Sequence, residues 1–234
     1  MQAGITLIES AVRCAPQAIM MRDTDLLLVI DVQRDFCPGG RLAIADGDAV
    51  VPAINRIAAS FEHIVLTQDW HRANHISFAS QHVGKQPFDQ ISLSYGLQTL
   101  WPDHCVQNTP GADFHPDLSA EVLTRVELIL RKGFRTEIDS YSAFLENDKT
   151  TTTGLAGYLH ERGFERIFIA GLAYDYCVRF SAVDAVRAGF ETWVIQDACR
   201  SVGPTDSEAA ATREFEETGV KRIAIAELLS PSGE

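Results

Sequence analysis

Short stretches of nearly continuous apolar residues recur along the chain from residue 26 and alternate with longer amphipathic stretches. The short stretches are rich in β-branched residues, which is typical of strands that are buried on both faces, as in a parallel sheet. They predict six strands, over residues 26–31, 63–68, 126–131, 166–171, 191–196 and 221–226. The regular alternation predicts an α/β fold, doubly wound, with a mainly parallel six-stranded sheet and helices on both faces.

The amphipathic stretches predict helices over residues 48–60, 151–162, 178–188 and 206–218. Each of the last three is followed by a glycine, at Gly163, Gly189 and Gly219, a few residues before the next strand. Glycine commonly ends a helix in the left-handed conformation. The pattern therefore indicates strand-helix units that follow one another along the chain.

One long segment, residues 69–118, interrupts this alternation, because it contains no long periodic element. It nevertheless holds five of the seven histidines, together with two tryptophans and a tyrosine. A connection of this length in a compact domain is usually either functional or disordered. The aromatic residues disfavour disorder, so we expect this segment to contribute to a functional site.

Charge and cysteine content exclude several classes of function. The net charge of −12 argues against a nucleic-acid backbone or an anionic membrane as partner. No apolar run approaches the roughly 20 residues that a membrane-spanning helix requires. The five cysteines are widely spaced and form no Cys-x-x-Cys pair, which indicates a reduced, cytoplasmic protein. The sequence leaves the oligomeric state open, a homo-oligomer included.

The domain organisation predicted from the sequence is simple. Residues 25–234 are expected to form a single domain, and residues 1–24 an N-terminal extension whose role the sequence does not reveal. The extension lacks the continuous apolar region of a secretory signal, and its arginines are diluted by acidic residues.

Three polar residues stand where predicted strands end. Asp31 and Lys132 close two apolar runs, and Cys177 lies on the turn between a predicted strand and a helix. The carboxyl ends of parallel strands share one edge, where open α/β folds bind their ligands, and the start of a helix stabilises a thiolate. Singly, these residues could be a helix cap, a surface lysine and a small buried apolar residue. Together they match the base, electrostatic partner and nucleophile of a cysteine amidohydrolase.

A second group of polar residues lies in the long segment. In extended backbone Asp69 and His71 point to one face, and His75 and His104 follow. A carboxylate and two imidazoles, completed by water, suit a divalent ion such as zinc, iron or manganese. A hydrogen-bonded histidine cluster in a polar loop explains the spacing equally well.

Several segments resemble, in the same order, the nicotinamidases of the isochorismatase-like cysteine hydrolase superfamily. They are DVQRDFCPGG at 31–40, TQDWH at 67–71, NHISFAS at 74–80, LWPDHCV at 100–106, KG at 132–133, DSYSAF at 139–144 and GLAYDYCV at 171–178. The resemblance covers residues 26 to about 226. The departures are residues 1–24 and a slightly long loop at 81–98.

The resemblance implies a role for each matching residue. Cys177 matches the nucleophile, Asp31 the carboxylate that handles protons, and Lys132 the third catalytic residue. The other matches are the metal ligands Asp69, His71 and His104; a histidine beside the metal that does not bind it, His75; the ring-binding aromatic residues Phe36, Trp101 and Tyr141; and an oxyanion hole at the N–H groups of Ala173 and Cys177, after a cis peptide at Leu172–Ala173.

The resemblance also implies a strand order of 3-2-1-4-5-6 and an activity. The expected reaction is hydrolysis of nicotinamide to nicotinate and ammonia through a thioester on Cys177, in NAD salvage, with pyrazinamide as a second substrate. Another small-amide or carbamoyl-amide hydrolase would share the Asp–Lys–Cys set without needing the metal ligands. A vinyl-ether hydrolase of the isochorismatase type would not need the cysteine. A non-catalytic flavodoxin-like module with a structural metal is the alternative outside the enzymes.

Overall fold

The computed structural model describes residues 19–203 and 205–230. The strands in this part of the chain are β1 (Asp25–Ile30), β2 (His63–Asp69), β3 (Gln90–Leu93), β4 (Gly96–Thr99), β5 (Val126–Lys132), β6 (Arg166–Leu172), β7 (Glu191–Arg200) and β8 (Lys221–Ile223). The helices are α1 (Val50–Ala58), α2 (Ala120–Arg125), α3 (Leu155–Glu161), α4 (Arg179–Arg187), α5 (Thr205–Thr218) and α6 (Ile225–Leu228).

Six strands form one sheet in the order β5-β2-β1-β6-β7-β8. All neighbouring strands in it are parallel. Because β3 and β4 lie outside this sheet, the order corresponds to the expected 3-2-1-4-5-6, which is confirmed. The chain winds outward in one direction from β1 and in the other from β6. The carboxyl ends of these two central strands therefore flank the crevice where such sheets bind ligands.

Each face of the sheet is covered by its own apolar core. In β1, Leu27 and Val29 pack into one core with the buried faces of α1 and α6. Leu26, Leu28 and Ile30 pack into the other with α3, α4 and α5. Helices thus cover both faces, and this explains why the central strands are apolar at every position rather than at every second one.

The element boundaries mostly follow the predicted ones, with local differences. Gly163, Gly189 and Gly219 have φ values of 78°, 96° and 84°, which confirms the left-handed helix ends. Helix α3 begins four residues later than predicted, at Leu155, because Gly154 before it is itself left-handed. The last strand ends at Ile223 and the chain turns into α6, so the strand predicted up to residue 226 is too long.

The long segment contains a hairpin that the hydrophobic pattern did not predict. Strands β3 and β4 pair antiparallel, outside the main sheet, within the long loop at 81–98. Most of their side chains are exposed or half-buried. Helix α2 was also missed; it has six residues, and Ser119 Oγ caps it by accepting the Val122 N–H at 3.2 Å. Elements this short are below the length that periodicity resolves.

Of the predicted N-terminal extension, only residues 19–24 lie within the described part of the chain. Ile19 and Met21 pack against the first core. The Met20 carbonyl accepts a hydrogen bond of 2.8 Å from Arg166 Nη2, whose guanidinium also pairs with the buried Asp25. Over residues 19–203 and 205–230, none of the helices combines the length and apolar character needed to cross a membrane.

We expect a chain that starts at Met21 to fold and to keep its activity. It should lose about 1–2 kcal/mol of unfolding free energy, because Arg166 loses the Met20 carbonyl. Urea unfolding measures the change. A matched chain in which Ile19 follows the initiator methionine keeps the packing of Ile19 and the hydrogen bond of the Met20 carbonyl, so it should unfold like the full chain. If it is destabilised as much as the shorter one, residues 1–18 also contribute to stability.

Candidate active site and metal-binding cluster

Asp31 is held at the carboxyl end of β1 by contacts with β2. Its backbone is left-handed, with φ 48°, a conformation that aspartate adopts more readily than most residues. Its N–H donates to Thr67 Oγ1 at 3.1 Å, and the Thr67 hydroxyl donates to Asp31 Oδ1 at 2.6 Å. The carboxylate is fully buried at the edge of the sheet.

Lys132 ends β5 and is only 1% exposed, so it is not a surface lysine. Its Nζ lies 2.7 Å from Asp31 Oδ2 and donates to the Ser140 carbonyl at 3.1 Å. It also pairs with Asp69 Oδ1 and donates to Cys177 Sγ at 3.4 Å. One ammonium therefore contacts both carboxylates and the thiol.

Cys177 lies in a π-helical turn, Tyr174–Val178, between β6 and α4. It is 7% exposed, and its Sγ and carboxylate oxygens of Asp31 and Asp69 all lie within 4.8 Å of one another. The tertiary structure thus brings together the three residues predicted from separate strand ends. The cis peptide expected at Leu172–Ala173 is present and leads into this turn.

Burial controls the protonation of this cluster. It raises the pKa of the Cys177 thiol well above its usual value; Lys132 acts in the opposite direction, and the two carboxylates add to the rise. Burial also raises the pKa of Asp31. It disfavours the charged form of Lys132, but Asp31 and Asp69 outweigh it and raise the pKa of the ammonium.

A second cluster adjoins the first through Asp69, the last residue of β2. Its Oδ2 lies 3.7 Å from His104 Nε2, and His104 Nδ1 donates to the Pro102 carbonyl at 2.7 Å. A neutral His104 therefore keeps the Nε2 lone pair directed to Asp69. One ligand atom from each of Asp69, His71 and His104 lies within 4.8 Å of the others. All three residues are buried.

His71 has one occupied and one unpaired ring nitrogen. Its Nε2 lies 3.2 Å from Asp139 Oδ1, whereas the buried Nδ1 has no hydrogen-bond partner within the described residues. Gly133 makes room for the ring: its φ is 67°, and a Cβ there would lie 2.6 Å from Nε2. An unpaired, buried imidazole nitrogen beside a carboxylate and a second imidazole fits a divalent metal site.

His75 lies next to this cluster and is not part of the Asp69–His71–His104 group. Its ring centroid is 4.5 Å from that of His71, and its Nδ1 accepts the Ser77 N–H at 3.3 Å. Burial and the neighbouring His71 lower the pKa of His75 to about 4, so it is neutral at pH 7. It also belongs to a different group of potential ligands, with His71 and Asp139.

One cavity lies at the carboxyl edge of the sheet, where the two clusters meet. Its lining includes Cys177 and the second cluster, the predicted Phe36, Trp101, Tyr141 and Ala173, and five residues that were not predicted, Leu42, Ile44, Asp139, Tyr176 and Val202. Tyr176 could have been found from its position next to Cys177, and Asp139 from its place in the DSYSAF segment. The other three lie in loops without a motif, and only the folded chain places them at the cavity.

Aromatic rings form much of the cavity wall. The ring centroids of Trp101 and Tyr176 are 4.8 Å apart, and those of Tyr141 and Tyr176 are 5.3 Å apart. Tyr141 Oη accepts the Trp101 Nε1–H at 3.2 Å, which fixes both rings. Phe36 lies beside the second cluster, with its centroid 5.4 Å from that of His104. A cavity of this kind favours a flat ligand with one polar end at each cluster.

Two buried carboxylates with no predicted role hold the loops around the cavity. Asp35 Oδ2 accepts the Cys105 N–H at 2.7 Å, directly after His104. Asp175 accepts the N–H groups of Val202 and Gly203, both at 2.9 Å. Both residues lie inside segments that carry the family resemblance, and that position is the sequence signal that could have indicated a role for them.

Comparison with known proteins gives one consistent result. Residues 25–227 match the isochorismatase domain model. A nicotinamidase of Acinetobacter baylyi is 52% identical, over 87% of this chain and 94% of that protein. The structure of an Acinetobacter baumanii nicotinamidase and pyrazinamidase is 51% identical, with a TM-score of 0.87, over 90% of this chain and all of that one.

A second similar structure carries a metal. It is the pyrazinamidase of Pyrococcus horikoshii in complex with zinc, which is 36% identical, with a TM-score of 0.69, over 86% of this chain and 99% of that one. The shared fold, the match over most of the chain and the identity to the A. baylyi protein lead to one conclusion: the chain belongs to the isochorismatase domain family.

Proposed function

We propose that this protein hydrolyses nicotinamide to nicotinate and ammonia, and pyrazinamide in the same way, as a step of NAD salvage. The observation that carries the proposal is a single cavity lined both by Cys177, whose thiol lies beside Lys132 and Asp31, and by the Asp69–His71–His104 group. The nicotinamidase names of its relatives support it. We propose a cytoplasmic location, because the five cysteines are widely spaced and form no Cys-x-x-Cys pair, as in proteins of a reducing compartment.

The first step needs the Cys177 proton to leave a buried thiol. Asp31 is the base within reach, and burial raises its pKa, so it accepts a proton more readily than an exposed carboxylate. Lys132, 3.4 Å from Sγ, stabilises the thiolate as it forms. Sγ then attacks the carboxamide carbon, and the N–H groups of Ala173 and Cys177 are proposed to bind the developing oxyanion, each worth about 3–4 kcal/mol in comparable sites.

The second half of the reaction uses the same carboxyl group. Protonated Asp31 gives its proton to the amine as the carbon–nitrogen bond breaks, so ammonia leaves and a thioester remains on Cys177. Asp31 then takes a proton from a water molecule that attacks the thioester carbon. Nicotinate leaves as the carbon–sulfur bond breaks, and the Cys177 thiol is restored.

The opposite end of the cavity would hold the pyridine ring. Phe36, Trp101 and Tyr141 are proposed to contact its faces and edge, and Asp69, His71 and His104 to hold a divalent ion, with His75 outside the ligand set. The zinc in the P. horikoshii pyrazinamidase favours zinc over iron or manganese. When bound, the ion would supply a Lewis-acid contact for the ring nitrogen.

Another small-amide or carbamoyl-amide hydrolase is the second candidate. It would use the same Asp31, Lys132 and Cys177 but would leave the histidine cluster without a role. Ammonia release from nicotinamide and from benzamide, which lacks the ring nitrogen, separates the two. We expect rapid release from nicotinamide and slow release from benzamide; equal rates would contradict the proposed role of the cluster.

We expect Cys177→Ala to abolish turnover, with less than about 1% of wild-type activity left, because the loss of a nucleophile costs several orders of magnitude. The control is Cys199→Ala, a buried cysteine on β7 that does not line the cavity. It should stay active. Mass spectrometry of wild-type protein, acid-quenched during turnover, should find the acyl group on the Cys177 peptide. Substantial activity in Cys177→Ala would rule out the thioester.

The role of Asp31 predicts a pH dependence. kcat/KM should fall as the pH drops through the raised pKa of Asp31, because the protonated carboxyl cannot accept the thiol proton. Thr67→Val removes a hydrogen bond that lowers this pKa, so the acid limb of the profile should move to higher pH. Thr192→Val is the matched control, since Thr192 is equally buried and bonds only within its own strand region. An unmoved acid limb in Thr67→Val would exclude Asp31 as its origin.

Loss of the metal should act mainly on substrate binding. His104→Ala, or chelation, should raise KM for nicotinamide much more than it lowers kcat, because a contact with the ring nitrogen is alike in ground and transition states. Asp69→Asn should raise KM in the same way and should also lower kcat, since Asp69 pairs with Lys132 as well. Circular dichroism checks the fold. A collapse of kcat with KM unchanged in His104→Ala would show that the metal acts on the carbonyl or the water.

A further inference from the structure

Gln98 is an unusual residue for a peripheral hairpin, because its side chain is fully buried while most of β3 and β4 is not. Its Nε2 lies within hydrogen-bond distance of three acceptors, which share its two N–H groups: Asp139 Oδ2 at 3.1 Å, Tyr141 Oη at 2.8 Å and the Thr99 carbonyl at 2.7 Å. Its Oε1 accepts from Tyr95 Oη at 3.0 Å and from Asn147 Nδ2 at 3.3 Å. Every donor and acceptor of the amide thus has a partner, and such complete pairing holds a buried amide in one position.

Asp139 connects this amide to the second cluster. One carboxylate oxygen, Oδ2, accepts from Gln98. The other, Oδ1, accepts the Ser140 N–H at 2.8 Å and lies 3.2 Å from His71 Nε2. Both oxygens are used, and the residue is 2% exposed. The carboxylate therefore has little freedom to turn away from the imidazole.

The consequence for His71 is a defined tautomer. With its Nε2–H directed to Asp139, the lone pair of a neutral ring is on Nδ1, the buried nitrogen that has no partner within the described residues. A carboxylate that accepts the outer N–H of a histidine ligand orients the ring and raises its basicity.

We propose that Asp139 and Gln98 are positioning residues for the metal: Asp139 orients His71, and Gln98, supplied by the hairpin, orients Asp139. The inference rests on the metal site of the proposed function. The proposal gives the hairpin a function. Its one fully buried side chain, Gln98, contacts Asp139 beside the second cluster and Tyr141 in the cavity wall.

The test is the zinc affinity of the full chain, measured without substrate by competition with a chromogenic chelator. Asp139→Ala should weaken zinc binding about 10–100-fold. Asp139→Asn should lose less zinc affinity than Asp139→Ala, because an amide oxygen can still accept the hydrogen bond from His71. Gln98→Met, of similar length but without polar atoms, should weaken binding roughly 10-fold.

Asp184→Asn is the matched control, a buried carboxylate on α4 that bonds Arg187 and no residue of the cavity. It should bind zinc like the wild type. Unchanged zinc affinity in Asp139→Ala and Gln98→Met, with only a lower melting temperature, would overturn the proposal and leave both residues with a structural role. If Asp139→Ala does not fold, Gln98→Met and Asp139→Asn decide.

Two further outcomes are informative. If the wild type binds no zinc, the metal site of the proposed function fails, and the positioning role fails with it. If His104→Ala keeps full zinc affinity while His75→Gln loses it, the ion binds the His71–His75–Asp139 group instead. Asp139 would then be a ligand, which also contradicts a positioning role.

Discussion

The buried Lys132 ammonium is the interaction on which the site depends. A single charge in a protein interior is costly, by several kcal/mol even after relaxation, unless close partners compensate it. Asp31, Asp69 and the Ser140 carbonyl do so here. The two carboxylates would repel each other without the ammonium between them. Because Asp31 follows β1, Asp69 ends β2 and Lys132 itself ends β5, one charge fixes the relative positions of three strand ends and of the thiol of Cys177.

This arrangement also links the two halves of the cavity. Asp69 contacts Lys132 through Oδ1 and faces His104 through Oδ2, so the cluster around Cys177 and the Asp69–His71–His104 cluster share one carboxylate. They are separate in sequence but form one electrostatic network in the fold. Burial raises the pKa of both Cys177 and Asp31, and Lys132 opposes the rise in each case. In the proposed reaction a proton passes between these two groups, and Lys132 stabilises the charged form of each.

The long connection between β2 and β5 builds the other side of the cavity. A rigid sheet with a functional loop at its carboxyl edge is a common division between scaffold and site. The buried polar side chains of this connection are almost all paired: His104 with the Pro102 carbonyl, His75 with Ser77, and Gln98 with Asp139 and Tyr141. Within the described residues, the exceptions on this connection are His71 Nδ1 and His75 Nε2. Because the neighbouring buried polar groups are hydrogen-bonded, the unpaired His71 nitrogen indicates a position for a ligand such as a metal ion.

The sequence by itself determined the sheet, its strand positions and most residues of the site. The runs of β-branched residues are buried on both faces and leave a strong signal, and Asp31, Lys132 and Cys177 stand at strand ends where the parallel topology must bring them to one edge. Only the tertiary structure decided the rest. The hairpin and α2 are too short for periodicity to reveal. Asp139 and Tyr141, the cavity residues that Gln98 contacts, lie 41 and 43 residues away in the chain, and no local pattern encodes such a contact. The raised pKa of Cys177 depends on how completely the fold removes water from the thiol, and only the packing of distant segments decides that.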